Sequence, residues 1–124
     1  MSTHMDGLIV EKVIVPSSRP LNEAAQEFLR DARHRMKSVR CFDFVPSNYE
    51  KAWQVLDSLD RGTLCEWGSG LGVVVGLAEI LGFEATGIEI DGELAELARE
   101  LLTDHGLTST IRNGNYLESF EQFQ

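Results

Sequence analysis

Apolar residues along the chain follow two different periods, and the places where one gives way to the other mark out its elements. Leu8-Ile-Val-Glu-Lys-Val-Ile-Val15 is rich in β-branched residues and is bounded by Pro16-Ser-Ser, which predicts a strand. The preceding stretch, with Ser2-Thr3-His4-Met5, is given no element. From Pro20 onward, Leu21, Ala24, Ala25, Phe28, Leu29, Ala32 and Met36 recur at three- and four-residue spacing, the single apolar stripe of a helix. Cys41-Phe-Asp-Phe-Val-Pro46 breaks that period. A second helix is predicted from Ser47, because Ser47 and Glu50 match a capping box in which hydroxyl and carboxylate satisfy the orphan amides of the first turn. Its expected buried face is Tyr49, Ala52, Trp53, Leu56 and Leu59, and Asp60-Arg-Gly62 ends it.

Beyond Thr63 the chain alternates between the two periods. Thr63 to Trp67 is a short strand running into a glycine cluster. Val73 to Leu81 is apolar nearly all round, as suits a helix laid against a sheet, with Gly82 as its C-terminal cap. Glu84 to Ile90 is the next strand. Asp91 caps a helix with the stripe Leu94, Leu97, Ala98, Leu101 and Leu102, closed by Gly106, and Leu107 to Arg112 is a third strand. Tyr116 to Gln124 is a polar-aromatic tail. Strands and helices that alternate through short connections imply right-handed crossovers and a parallel sheet. The predicted fold class is therefore α/β, a Rossmann-like parallel sheet of order 3-2-1, with an N-terminal strand and two helices. Residues 1–46 read as an N-terminal strand and helix extension and 47–124 as a partial Rossmann-like domain, within one unit.

Composition narrows the function classes. At 124 residues, 43% hydrophobic and 25% charged, the chain is an ordinary globular domain with room for one core. No run approaches the roughly 18 apolar residues of a membrane helix, and the start lacks the basic-then-apolar pattern of a secretory signal. Cys41 and Cys65 fall short of a disulfide or metal framework; Cys65, inside an apolar run, is expected in the core, and a cytoplasmic home follows as the default. His4, His34 and His105 are isolated, so no metal site is read.

The net charge of −9 is uneven: residues 1–42 hold seven Lys/Arg against five Asp/Glu, and residues 43–124 hold four against fifteen. Such acidity argues against nucleic acid as a general partner. The basic stretch Arg30, Arg33, His34, Arg35, Lys37 and Arg40 reads chiefly as a solvated face with cations at a helix C-terminus.

Candidate chemistry concentrates in Glu66-Trp67-Gly68-Ser69-Gly70-Leu71-Gly72, between a strand and a helix. Glycines there let the backbone turn tightly and come close to a ligand at a helix N-terminus. The dinucleotide fingerprint would need a small residue where Val73 stands, and the phosphate loop would need a terminal G-K-[ST]. An acid two before the first glycine remains, giving E-x-G-x-G-x-G. In Gly87-Ile-Glu-Ile-Asp91, Glu89 ends the second strand 21 residues past Gly68, where a carboxylate can accept hydrogen bonds from ribose hydroxyls. Asn113-Gly-Asn115-Tyr follows the third strand.

These three segments together resemble the motifs of the Rossmann-like, class I S-adenosylmethionine-dependent methyltransferases, over about residues 44 to 118. The resemblance implies S-adenosyl-L-methionine as cofactor, held by Glu66, Gly68, Ser69, Gly70, Gly72, Glu89, Ile90 and Asn115. In that family the acid at Glu89 grips both ribose hydroxyls and the next residue, Ile90, packs on adenine. Asn115 stands where the family commonly has Asp, and it keeps an acceptor oxygen. Phe44-Val-Pro-Ser47 is similar to a segment that covers the cofactor in several branches, and equally to helix-entry chemistry. Glu66 has a plainer alternative role, bonding the loop amides. Trp67, pointing away from Glu66 by strand alternation, is expected to pack under the loop.

The family fold has seven strands, so the resemblance implies a truncated relative, and no catalytic residue is named. Methyl transfer to an unidentified acceptor, protein among the possibilities, is the leading function; a non-catalytic module that folds or dimerises is the rival. The first core strand would present an open edge. Three arrangements answer that: the chain is a piece of something longer, a second copy pairs there as a homodimer, or Leu8 to Val15 takes the place of the missing strand.

Overall fold

The computed structural model describes residues 2–5, 8–11, 15–39 and 48–114. Strands β1 (Ser2–Met5) and β2 (Leu8–Glu11) pair antiparallel, with Ser2 opposite Glu11. The element predicted over Leu8–Val15 thus pairs with residues that had been assigned no element. Among the described residues, its strand Leu8–Glu11 takes no place in the parallel sheet. Hydrogen bonding decides this, because a strand's nearest partner in sequence costs the least chain entropy to recruit.

Two helices follow. Helix α1 (Glu23–Met36) begins at Asn22, whose side chain accepts from the Ala25 amide at 2.8 Å. It buries Ala25, Phe28, Leu29 and Ala32, while Ala24 of the expected stripe is exposed. Helix α2 (Tyr49–Asp57) is capped by Asn48, whose side chain accepts from Lys51 N at 3.0 Å. Asn48 therefore takes the cap that the sequence pattern gave to Ser47, and Glu50 turns outward to pair with Arg33 at 2.9 Å. Ser47 itself, with Cys41 to Pro46, lies outside the described residues. Tyr49, Trp53 and Leu56 are buried as expected, and Ala52 and Leu59 are partly so.

The parallel sheet is β3 (Thr63–Trp67), β4 (Glu84–Glu89) and β5 (Thr110–Asn113), in the order β3-β4-β5. Its crossovers are α3 (Val73–Leu81) and α4 (Gly92–Asp104). Register places Leu64 beside Ala85, and Glu66 beside Gly87, which in turn sits beside Ile111. Successive right-handed crossovers in one direction put both helices on the same face. Leu64, Ala85 and Ile111 share that face, and the core lies between it and α3 and α4.

Cys65 points the other way and is exposed, contrary to its expected place in the core. Trp67, on that same opposite face, is 50% exposed and does not pack under the loop. Apolar neighbours in sequence cannot reveal which face of a strand the helices will cover.

Distant residues tie the pieces together. Arg61 donates to the carbonyls of Asp57, Leu59 and Leu81, joining the ends of α2 and α3, and stacks over Phe83 at 5.5 Å. Glu79 of α3 accepts from the amides of Thr108 and Ser109, fixing the approach to β5. Asp57 accepts from Arg19 at 2.6 and 2.9 Å and from Arg61 at 2.9 Å. Hydrogen bonds from the Ser17 hydroxyl, Arg61 and Arg19 outweigh burial and hold the Asp57 carboxyl down to about 2, from an ordinary 3.8. A depressed carboxyl stabilises fully above its unfolded value and loses that stabilisation as pH falls through its folded one. Asp57→Asn should therefore flatten the acid loss of stability between about pH 4 and 2. Identical acid-unfolding profiles for the two proteins would contradict this role.

Candidate functional site

Between β3 and α3 the chain turns through three glycines with positive φ: Gly68 at 71°, Gly70 at 56° and Gly72 at 80°. Left-handed backbone costs an L-residue about 1–2 kcal/mol, which glycine escapes. The loop hangs from the end of β4. Gly68 N and Ser69 N both donate to Ile88 O, at 2.8 and 3.0 Å, and Gly72 N donates to Ser69 O at 2.8 Å. Among the described residues no side chain caps α3, so its first-turn amides remain available at the site.

The loop lies directly on the sheet because β4 carries Gly87 beneath it. A Cβ at Gly87 would stand 2.6 Å from Ser69 Oγ and 2.8 Å from Ile111 Cδ1. Sequence reasoning gave Gly87 no role, although a glycine inside a strand signals close backbone approach. Ser69 is turned inward and buried, and its Oγ has no partner among the described residues. Gly72 is also buried, and a Cβ there would meet Ala98 at 3.3 Å. Gly68 and Gly70 present the accessible backbone of the loop.

Glu89 ends β4 only 7% exposed, with each carboxylate oxygen holding one backbone amide. Oε1 accepts from Gly70 N at 2.8 Å and Oε2 from Asp91 N at 2.9 Å. This carboxylate thus fastens the glycine loop to the turn after β4. Asp91 accepts from Leu94 N at 3.0 Å, the helix cap that its position predicts. Asn113, which the sequence reading quoted without assigning a role, donates from Nδ2 to the carbonyls of Glu89 and Ile90 at 2.9 and 3.1 Å. Beside this locked turn Ile90 stands 65% exposed, an apolar surface at the mouth of the site.

Glu66 lies on the sheet face of Gly87, below the loop. Its Oε1 is buried with no hydrogen-bond partner among the described residues. Burial first, and the charge of Glu89 second, push the Glu66 carboxyl up from 4.5 to about 7. The structure thus brings Glu66, Gly68, Ser69, Gly70, Gly72, Glu89 and Ile90 to one end of the sheet. Asn115 lies outside the described residues.

No protein-family model matches the sequence, and no curated protein sequence matches it. Solved structures do. An O-methyltransferase from Bacillus cereus, in complex with SAH, superposes with a TM-score of 0.63 at 17% identity, over 84% of this chain and 49% of that one. A Klebsiella pneumoniae protein described as an O-methyltransferase gives 0.59 at 23% identity, over 82% and 48%. The chain has the fold of the class I S-adenosylmethionine-dependent methyltransferases. Mitomycin 7-O-methyltransferase MmcR adds a TM-score of 0.50 at 27% identity, over 78% of this chain and 30% of that one. The chain therefore spans about half the length of the first two methyltransferases and less of the third. In this methyltransferase frame the parallel order β3-β4-β5 is the predicted 3-2-1 half-sheet, with the glycine loop on its first strand. Among the described residues no helix is long and apolar enough to cross a membrane.

Proposed function

We propose that the crevice at the carboxyl ends of β3 and β4 binds S-adenosyl-L-methionine, and that the chain serves methyl transfer. Ligands of open parallel sheets bind at this end of the strands. One observation carries the reading. A loop of positive-φ glycines is bonded through Gly70 N to the buried carboxylate of Glu89, with exposed Ile90 alongside.

The residues present suit the cofactor's parts. Each Glu89 oxygen accepts one amide and has a further lone pair, so both remain able to accept a ribose hydroxyl. Ile90 offers its apolar surface to the adenine ring. The uncapped first turn of α3 suits an anionic group, which the positive helix end also favours. The unpartnered Glu66 Oε1 suits a cationic one. When bound, the cofactor supplies a methyl group on a sulfonium for in-line displacement. What these side chains contribute is orientation, holding the nucleoside so that the methyl faces its acceptor in a near-attack geometry.

Isothermal titration should show S-adenosylhomocysteine binding with 1:1 stoichiometry, and no binding of NAD or ATP. A titration in which S-adenosylhomocysteine produces no heat and no thermal shift overturns the reading.

A further inference from the structure

Two carboxyl groups lie beneath the glycine loop, and the structure treats them unequally. Glu89 has a backbone amide on each oxygen, the hydrogen bonding that an anion needs. Glu66 has none on its buried Oε1. A carboxylate oxygen buried without a donor is costly, whereas the protonated acid is tolerated. Two like charges this close do not readily coexist in a low dielectric. Among the described residues, Glu89 is the one charge that acts on Glu66. From α3, whose one titratable residue is Glu79, the carboxylate is taken up by Thr108 and Ser109. Asp91, at the start of α4, turns to Leu94 N. On β5, Arg112 sits beside Ile88 in register, on the sheet face opposite Glu66. The glycine loop presents only Ser69, whose hydroxyl is itself unpartnered.

Resting on the reading of this crevice as the S-adenosylmethionine site, we infer that Glu66 is protonated in the free protein and gives up that proton when the α-ammonium of the ligand's methionine part binds. The ammonium supplies both the donor and the positive charge that the site lacks. The proton passes to solvent, and the ligand's own ammonium keeps its three protons. Cofactor affinity is then linked to pH through Glu66. The carboxyl, raised to about 7 when free, drops as the ammonium arrives. Below that value each unit of falling pH lowers affinity, up to the tenfold limit for one linked proton. Above it affinity levels off. The consequence is selectivity for the amino-acid end of the ligand as well as for the nucleoside.

The test is calorimetry of the protein with S-adenosylhomocysteine from pH 6 to 8, in pairs of buffers with different ionisation enthalpies. Methylthioadenosine, which has the nucleoside and thioether without the ammonium, is titrated alongside. We expect most of one proton to be released per S-adenosylhomocysteine at pH 6 and little at pH 8, with none released by methylthioadenosine. Glu66→Gln, which keeps the size and removes the titration, should abolish the release while still binding the nucleoside. Binding of S-adenosylhomocysteine with no proton release at pH 6, or equal release by Glu66→Gln or by methylthioadenosine, overturns the inference and leaves the site assignment standing. Failure of both ligands to bind overturns the assignment and the inference together.

Discussion

Gly76→Ala should destabilise the protein by about 1–3 kcal/mol, the usual cost of forcing an extra carbon into a packed core. Gly76 lies in the middle of α3, where alanine would ordinarily favour the helix by up to about 1 kcal/mol. Here the ring of Phe28, from α1, occupies the space that the methyl would need. A Cβ would come 2.6 Å from Phe28 Cε2 and 3.1 Å from Leu102 Cδ2. The ring cannot swing away cheaply, because Phe28 is only 1% exposed and its edge is fixed against His105 at 5.3 Å. Packing therefore outweighs propensity, and the sign of the substitution reverses. On a stability of about 5–15 kcal/mol such a loss shifts the melting temperature by several degrees. Shortening the ring in Phe28→Leu should recover part of it, so that the double variant is less destabilised than the sum of the singles. A melting temperature equal to or above that of the parent would show that α1 does not seat on α3 as described.

Replacing Glu89 by alanine should cost the binding of S-adenosylhomocysteine about 1–3 kcal/mol, near the upper end because the lost bonds are charge-assisted, or roughly 5- to 150-fold in Kd. Two effects combine. The ribose hydroxyls lose their acceptor, and Gly70 N and Asp91 N lose the carboxylate that ties the loop to the turn after β4. Glu89→Gln separates them, since its carbonyl can still accept one amide while the charge is gone. The glutamine variant should lie between parent and alanine in thermal stability, with affinity weakened closer to the alanine level. Unchanged affinity in Glu89→Ala would remove Glu89 from the ribose contact.

Much of the architecture was legible because it is locally encoded. The period of apolar residues located α1, α2 and α4, a nearly unbroken apolar run located α3, and Gly82 and Asp91 punctuate their helices as turn and cap chemistry require. The strand–helix alternation, with the rule of crossover hand, gave the parallel order without any knowledge of contacts. The loop from Gly68 to Gly72 could be recognised because positive φ demands glycine at particular spacings. Where the signal was local but ambiguous, the structure chose. Asn48 caps α2 in place of Ser47, since two adjacent residues can each act as a cap and only the path of the chain selects one.

The sequence by itself determined which segments are strands and helices and where a nucleoside-binding turn lies. Those features depend on residues a few positions apart, whose geometry the backbone fixes. Tertiary structure alone decided that Cys65 faces outward, that Phe28 fills the space at Gly76, that Gly87 lets Ser69 settle on the sheet, and that Glu89 takes the Gly70 amide while Glu66 Oε1 has no partner among the described residues. Each of these depends on residues far apart in the chain competing for one place or one hydrogen bond, and such competition is resolved only when the layers pack.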